Sequence, residues 1–383
     1  MKVVVMHNKY ASAMPSGENT MVDAEIAQLT SAGVDVVPYL RSSDEIGALS
    51  PAAKALLPVD PVYAPRAQRD LAAIIREHRP DVIHLHNPYP LLSPSVIRTA
   101  HRFGVPVVHT VHNYRQVCAN GLYFRDGHDC HDCRGRAFAL PAVRHACYRG
   151  STAQSAVMAT TLAVHRPTWH RVDRYIALTD AIARHLVDYG IPAERIRVKP
   201  NAVADPGKPD GDGEGFAFVG RLSPEKGLDL LLDAWNLHPE GSLGTLRIVG
   251  DGPRRAAAEA AARQRSDVRY LGVLDRAATQ AVMREAATVV AASTWHDVLP
   301  TVVIEALANG RPVLGTDRGG IPYLIGDAGW VVQPSVEALA AALPTARAQA
   351  AALSAAARER YEQTFTPERV TSQLVQIYEE VVR

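Results

Sequence analysis

The sequence predicts an α/β protein of two Rossmann-like domains, and three observations carry that prediction. Short apolar runs alternate with amphipathic segments along most of the chain, the pattern of parallel strands joined by helical crossovers. Many of the runs end in turns rich in Gly, His or Asn, on the side where such sheets bind ligands. A stretch rich in Asp, Gly and Pro, residues 204–215, divides the alternation into two halves and reads as a linker.

In the first half, residues 3–7 (VVVMH) read as the opening strand. A loop follows over residues 8–16, and Gly17 opens a helix whose apolar face is Val22, Ile26 and Leu29. Residues 34–39, 81–85, 105–111, 174–178 and 196–199 read as further strands, with helices at 71–77, 93–103 and 179–189. Two strands end in histidines, His86 and His112, and His109 precedes the second of these ends. A lone histidine at a strand end is more often structural than catalytic.

The second half opens with strand 216–219, then Gly220-Arg221-Leu222-Ser223-Pro224-Glu225-Lys226-Gly227 and a helix at 228–235. An Arg fork and a Lys point charge ahead of a helix suit phosphate oxygens. Strand 246–249 ends in Gly250-Asp251-Gly252, and strand 268–271 in Gly272-Val273-Leu274. Strand 288–292 leads through Ser293–Leu299 to Pro300, which suits the first turn of a helix over about 300–308. Its N-terminus offers the unpaired N–H groups of Thr301 and Val302, a site for an anion. Glu305 shares a helix face with Thr301 and sits in an apolar run, where a carboxylate needs a partner such as a ribose diol. The bland reading of Glu305 is a surface charge. Strand 312–316 ends in Asp317-Arg318-Gly319-Gly320. Beyond residue 332 the chain is alanine-rich and helical, with a break expected at Pro344 and a last helix from about Thr366-Pro367.

Asp297, seven intervening residues, Glu305, Gly310 and the Gly319-Gly320 turn, together with the Gly220–Gly227 loop, closely resemble the signature of retaining glycosyltransferases of family 4. That family usually carries Glu at the position of Asp297. The resemblance spans nearly the whole chain and implies the GT-B fold. It sets an acceptor-binding domain at 1–203, a nucleotide-sugar domain at 216–365 and a helix at 366–383 returning to the first domain. It also implies roles. Arg221, Lys226 and the helix start at Leu299, Pro300 and Thr301 would hold the donor diphosphate, with Gly17, Gly220 and Gly250 allowing close approach. Glu305 would hold the ribose, Val273 would lie by the base, and Asp297 and His112 would contact the donor sugar. Family likeness favours His112 over His86 and His109. The donor would be a UDP- or GDP-type sugar, and no catalytic metal is expected. A nucleotide-sugar epimerase and a non-catalytic nucleotide-sugar-binding protein remain alternatives.

All four cysteines, Cys118, Cys130, Cys133 and Cys147, fall in one segment, residues 118–147. In a reducing compartment such a CxxC pair with outliers reads as a structural zinc site, with free thiols or a redox pair as the alternatives. From Arg102 to Arg174 there are ten arginines against four aspartates, with no lysine and no glutamate. That skew is a solvated basic face, or a surface for an anionic or lipid-linked acceptor and peripheral membrane contact. The whole chain of 383 residues has a net charge of +1 and shows no recognition module, so nucleic acid is not an expected partner. It has no apolar run long enough to span a bilayer and no cleavable signal pattern, which predicts a cytoplasmic protein, peripheral at most at the membrane's inner face.

Overall fold

The computed structural model describes residues 1–13, 16–51, 54, 57–207 and 211–382. Two residues of the expected 8–16 loop, three of the 204–215 linker and residue 383 lie outside that set.

The chain divides into two compact units. The first comprises Met1–Tyr123, Cys130–Ala202 and Val370–Arg383, and the second Phe124–Asp129 and Val203–Arg369.

The first unit carries a six-stranded parallel sheet in the order β2-β1-β3-β4-β7-β8. Its strands are β1 (Lys2–Lys9), β2 (Asp35–Ser42), β3 (Val82–Leu85), β4 (Val107–Val111), β7 (Arg174–Ala177) and β8 (Ile196–Val198). Val3 and Val5 of β1 pack with Val22 and Leu29 of helix Gly17–Ser31 and with Leu374, Ile377 and Tyr378 of helix Pro367–Val382. The i, i+3, i+4 spacing of the last three is what lets that helix cover the sheet.

The second unit carries another six-stranded parallel sheet, β11-β10-β9-β12-β13-β14. These are β9 (Phe216–Val219), β10 (Leu246–Val249), β11 (Val268–Gly272), β12 (Thr288–Ala291), β13 (Val313–Thr316) and β14 (Gly329–Val332). Counted within the unit the order is 3-2-1-4-5-6, the Rossmann order, which reverses direction between β9 and β12. In the first sheet the reversal lies between β1 and β3. A short antiparallel hairpin, β5 (Phe124–Arg125) with β6 (His128–Asp129), completes the strands.

Two expectations are corrected, and two elements were not anticipated. Helix Val336–Thr364 runs unbroken through Pro344. A proline leaves the carbonyl four residues earlier without its helical donor. Here His238 Nε2 supplies a bond to that carbonyl, Ala340 O, at 3.0 Å. Helix Thr152–Trp169, capped by Ser151 through its bond from Gln154 N, was not anticipated, nor was strand β14. Pro300 is the N-cap of helix Thr301–Ala308, one position before its expected place in the first turn.

Candidate active site

In the second unit, the loops after β9 and β12 meet where the strand order reverses. Close backbone packing fixes them. A Cβ at Gly227 would stand 1.8 Å from Ala292 O, and φ there is +76°. A Cβ at Gly319 would stand 2.0 Å from Asp297 O, which also accepts Gly320 N–H at 2.7 Å. Gly227 of the Lys-Gly motif and the first glycine of the Gly-Gly turn, Gly319, are therefore required by the approach of a neighbouring backbone. Thr294 N donates to Glu225 O at 2.9 Å, tying the two loops together.

Their side chains converge as well. Lys226 Nζ lies 2.5 Å from Asp297 Oδ2, across 71 residues of sequence. Ser293 Oγ donates to the same oxygen at 3.3 Å, and Asp297 is only 5% exposed. Lys226 also lies 5.7 Å from the centre of the Trp295 ring. Arg221 is open to solvent and pairs with Glu225 at 2.8 Å. Four residues after Asp297 begins helix Thr301–Ala308, which has no side-chain cap, so the N–H groups of Thr301 and Val302 are available to an anion. Glu305 is no plain surface charge: burial raises its pKa, against the pull of Arg276. The loop after β10 joins through Gly250, whose N–H bonds Gly272 O at 2.7 Å. Next in sequence, Val273 is strongly exposed for an apolar residue. Leu299 packs on the core.

In the first unit, Gly17 opens its helix with open space where a Cβ would be, so nothing in the packing of the described residues demands a glycine. At the reversal between β1 and β3, Asn8 N donates to Asn87 O at 2.8 Å and Asn87 Nδ2 donates to Asn8 O at 3.0 Å. Here burial raises Glu18, partly offset by His7 and Arg115, and Tyr10 OH donates to it at 3.1 Å. His112, at the end of β4, has Nε2 2.9 Å from His86 Nδ1. Burial and the neighbouring His86 hold His112 well below its ordinary range. The two histidines are thus partners, not rivals. His109 is buried, bonded to Leu85 O at 2.9 Å and stacked on Trp169, a packing role. Behind His86 lies a charged core missed by the reading of the sequence: Glu25, bonded by Lys199 Nζ at 2.8 Å. His86, Asn87, His112, Asn113 and Arg115 line a cavity of about 20 Å³.

The four cysteines are half-buried and form no disulfide. Cys118 Sγ donates to Asn120 Oδ1 at 2.9 Å, and burial pushes its thiol up, against the pull of nearby backbone N–H groups. Among the described residues, the group whose ligand atoms all lie within 4.8 Å of one another is Glu25, His84 and His86. The sulfurs therefore do not stand at the spacing of a closed tetrathiolate cage. No described helix is long and apolar enough to cross a membrane.

Comparison with known proteins agrees with this geometry. Residues 16–202 match the glycosyl transferase 4-like domain and residues 213–347 match glycosyl transferases group 1. A D-inositol 3-phosphate glycosyltransferase of Jonesia denitrificans is 31% identical over 255 residues, 63% of this chain and 56% of that one. The chain thus spans a little over half the length of that relative. A phosphatidyl-myo-inositol mannosyltransferase of Mycobacterium tuberculosis is 28% identical over 262 residues, 62% of this chain and 67% of that one. The crystal structure of Anabaena HepE in complex with UDP matches with a TM-score of 0.66 at 17% identity, over 99% of this chain and 100% of that one. With the two matched domains together spanning most of the sequence, on two parallel sheets of the GT-B class, the chain belongs to the glycosyltransferase family of the group 1 and 4-like domains.

Proposed function

We propose that this chain transfers a hexose from a nucleoside-diphosphate sugar to an acceptor, with retention of anomeric configuration. The observation that carries the reading is the convergence of Lys226, Asp297, Arg221 and an uncapped helix N-terminus on one strand reversal. That convergence supplies positive potential where a departing diphosphate gains charge. Glu305 would bind the ribose diol, Asp297 a sugar hydroxyl, and Val273 would flank the base. Gly17 would leave room for the donor diphosphate or the acceptor. HepE was solved with UDP, which supports a UDP-type donor here. The printed names of the relatives support a polyol phosphate or its lipid as the acceptor class. The arginine-rich first unit suits such an anion, although Arg134 and Arg174 already pair with Asp188 and Glu380. Incubation with a panel of UDP- and GDP-sugars and polyol phosphates, with the product anomer read by NMR, tests the reading. Interconversion of donor sugars without transfer would replace it with an epimerase, and tight donor binding with no turnover would replace it with a binding protein.

Two expected results follow from the roles. Glu305→Gln should raise the donor KM, because a ribose contact is made equally in ground and transition states, whereas His112→Ala should chiefly lower kcat. Each loss should be roughly tenfold or more, as for a hydrogen bond worth about 1.5 kcal/mol. Steady-state kinetics with the donor varied checks both, and a reversal of the two patterns would count against the assignments.

The cysteine segment is proposed to hold one structural zinc through Cys118, Cys130, Cys133 and Cys147, the metal drawing the sulfurs together. Burial, and then the neighbouring Cys118, Cys147 and Cys130, push Cys133 up to about 11, so the four thiols share one neighbourhood. Elemental analysis of purified protein should give near one equivalent. Background zinc with four freely titratable thiols in the folded state would end this proposal.

A further inference from the structure

We propose that Glu25 and His86 fix the tautomer of His112, so that His112 offers its Nδ1 lone pair to a ligand and reads a hydroxyl. The inference rests on the transferase reading only for the identity of that ligand. His112 is the residue that would touch the sugar; Glu25 and His86 are positioning residues that act through it.

The argument starts at the innermost charge. Lys199 is 1% exposed and its ammonium donates to Glu25 Oε2 at 2.8 Å. Burial alone would raise Glu25, but Lys199, followed by His84 and His86, outweighs it and holds the carboxyl well below its ordinary range. Glu25 is therefore an anion that only accepts hydrogen bonds.

Its other oxygen, Oε1, lies 3.2 Å from His86 Nε2 and 3.4 Å from His84 Nδ1. His84 does not need it. Tyr378 is buried and keeps its proton, and its OH lies 2.6 Å from His84 Nδ1. Thr110 Oγ1 lies 2.8 Å from His84 Nε2, so both ring nitrogens of His84 have a hydroxyl partner of their own. His86 Nε2 and Glu25 Oε1 are otherwise both without partners, and the contact between them is poorly aligned. Distance decides the matter over alignment. A nitrogen lone pair turned toward an ionised oxygen at 3.2 Å would be repelled, so His86 Nε2 carries a proton.

The rest is forced by neutrality. Burial, with His84 adding to it, pushes His86 down to about 3, so the ring holds one proton and its Nδ1 is a lone pair. His112 Nε2 stands 2.9 Å from that lone pair and must be the donor. His112 is also neutral, so its Nδ1 is bare. The other ionisable groups near these rings are His7, edge-on to His86 at 6.1 Å, Glu18, 4.0 Å from His7, the buried His109, and Arg115, which lines the same cavity as His86 and His112. A bare imidazole nitrogen accepts from a hydroxyl and repels a carboxylate or phosphate oxygen. The ligand group at His112 Nδ1 is then a hydroxyl.

The same cluster invites a metal, since the ligand atoms of Glu25, His84 and His86 lie within 4.8 Å of one another. The chain fills that place itself. The Lys199 ammonium is the counter-ion to Glu25, and Tyr378 covers His84 Nδ1.

The test is a long-range proton–nitrogen correlation spectrum of protein labelled with nitrogen-15 histidine at pH 7. His112 is assigned by its disappearance in His112→Gln. The expected ring has Nε2 protonated and Nδ1 bare; a protonated Nδ1 or a doubly protonated ring would overturn the proposal. His86→Leu removes the acceptor and should let the Nδ1-protonated form appear, while His86→Gln, whose amide oxygen can still accept, should keep the original form. An unchanged His112 tautomer in His86→Leu overturns the positioning role. If His86→Leu does not fold, the wild-type spectrum still decides. These signals do not depend on turnover, so absence of transferase activity would leave the tautomer result standing.

Discussion

Replacing Lys226 by alanine is expected to impair ligand binding, turnover and stability, whereas replacing Arg221 should impair ligand binding and turnover with little loss of stability. The difference lies in what each substitution strands. Lys226 pairs with Asp297, a carboxylate only 5% exposed, and without the ammonium that charge is left buried. Breaking a buried pair costs about 3–5 kcal/mol, and because Lys226 is a quarter exposed the lower end, about 3 kcal/mol, applies. The Arg221–Glu225 pair is exposed on the Arg side, so its loss should change stability by less than about 0.5 kcal/mol. Both variants should bind a nucleoside diphosphate less tightly, by about 1.5–3 kcal/mol each. Denaturant unfolding and calorimetry with UDP and GDP separate the two effects. Lys226→Ala/Asp297→Asn should recover most of the lost stability without recovering turnover. Equal and small stability changes in Lys226→Ala and Arg221→Ala would sink the account.

The fold was legible where apolar runs are short and bounded by turns. Strands β9 and β10 run over the same residues in the structure as in the sequence reading, since β9 is a continuous apolar run and β10 is broken only by Arg247, as suits buried strands of a parallel sheet. Helix Thr152–Trp169 was not legible from periodicity, because its buried face mixes Ser155, Thr161 and His165 with apolar residues. Its start was available: Ser151 followed three residues later by Gln154 is a capping signature. Pro344 misled for a long-range reason. The carbonyl it frees is satisfied by His238, over a hundred residues away, and no local rule sees that bond.

The same divide runs through the candidate site. The Gly220–Gly227 loop and the Asp297–Glu305 stretch are local motifs, so they could be named before their pairing through Lys226 was visible. The core behind His112 is assembled from separated elements: Glu25 from one helix, Tyr378 from the last, His84 and His86 from β3 and its end, and Lys199 from the end of β8. One signal was present. Glu25 lies three residues after Val22 and four before Leu29, both fully buried, so an acid stands on the apolar stripe of its helix and must have a buried partner. Lys199 is that partner, 174 residues away.

That pair gives the largest stability effect expected in the first unit. Lys199→Met keeps the volume of the stem and removes the charge, leaving Glu25 buried beside neutral histidines. At pH 7 the loss should be about 3–5 kcal/mol. Its pH dependence has a definite sign. In the wild type Glu25 is held below its ordinary pKa, so it contributes stability above the unfolded carboxylate range, and that contribution is lost as pH falls through the folded value. In Lys199→Met the main lowering influence is gone and burial dominates, so the carboxyl titrates above its unfolded value. The variant should then be protonated on Glu25 in mild acid, where the wild type is not. The gap between the two should be widest near neutrality and should narrow as pH falls toward and below the ordinary glutamate range near 4.3. Lys199→Met/Glu25→Gln, with neither charge, should regain much of the loss at pH 7, because the cost is that of an unpaired anion more than of a missing bond. Denaturant unfolding at a series of pH values, with the wild type and both variants side by side, measures this directly. A gap that is constant with pH, or a double variant as unstable as Lys199→Met, would show that Glu25 is not the charge that Lys199 holds.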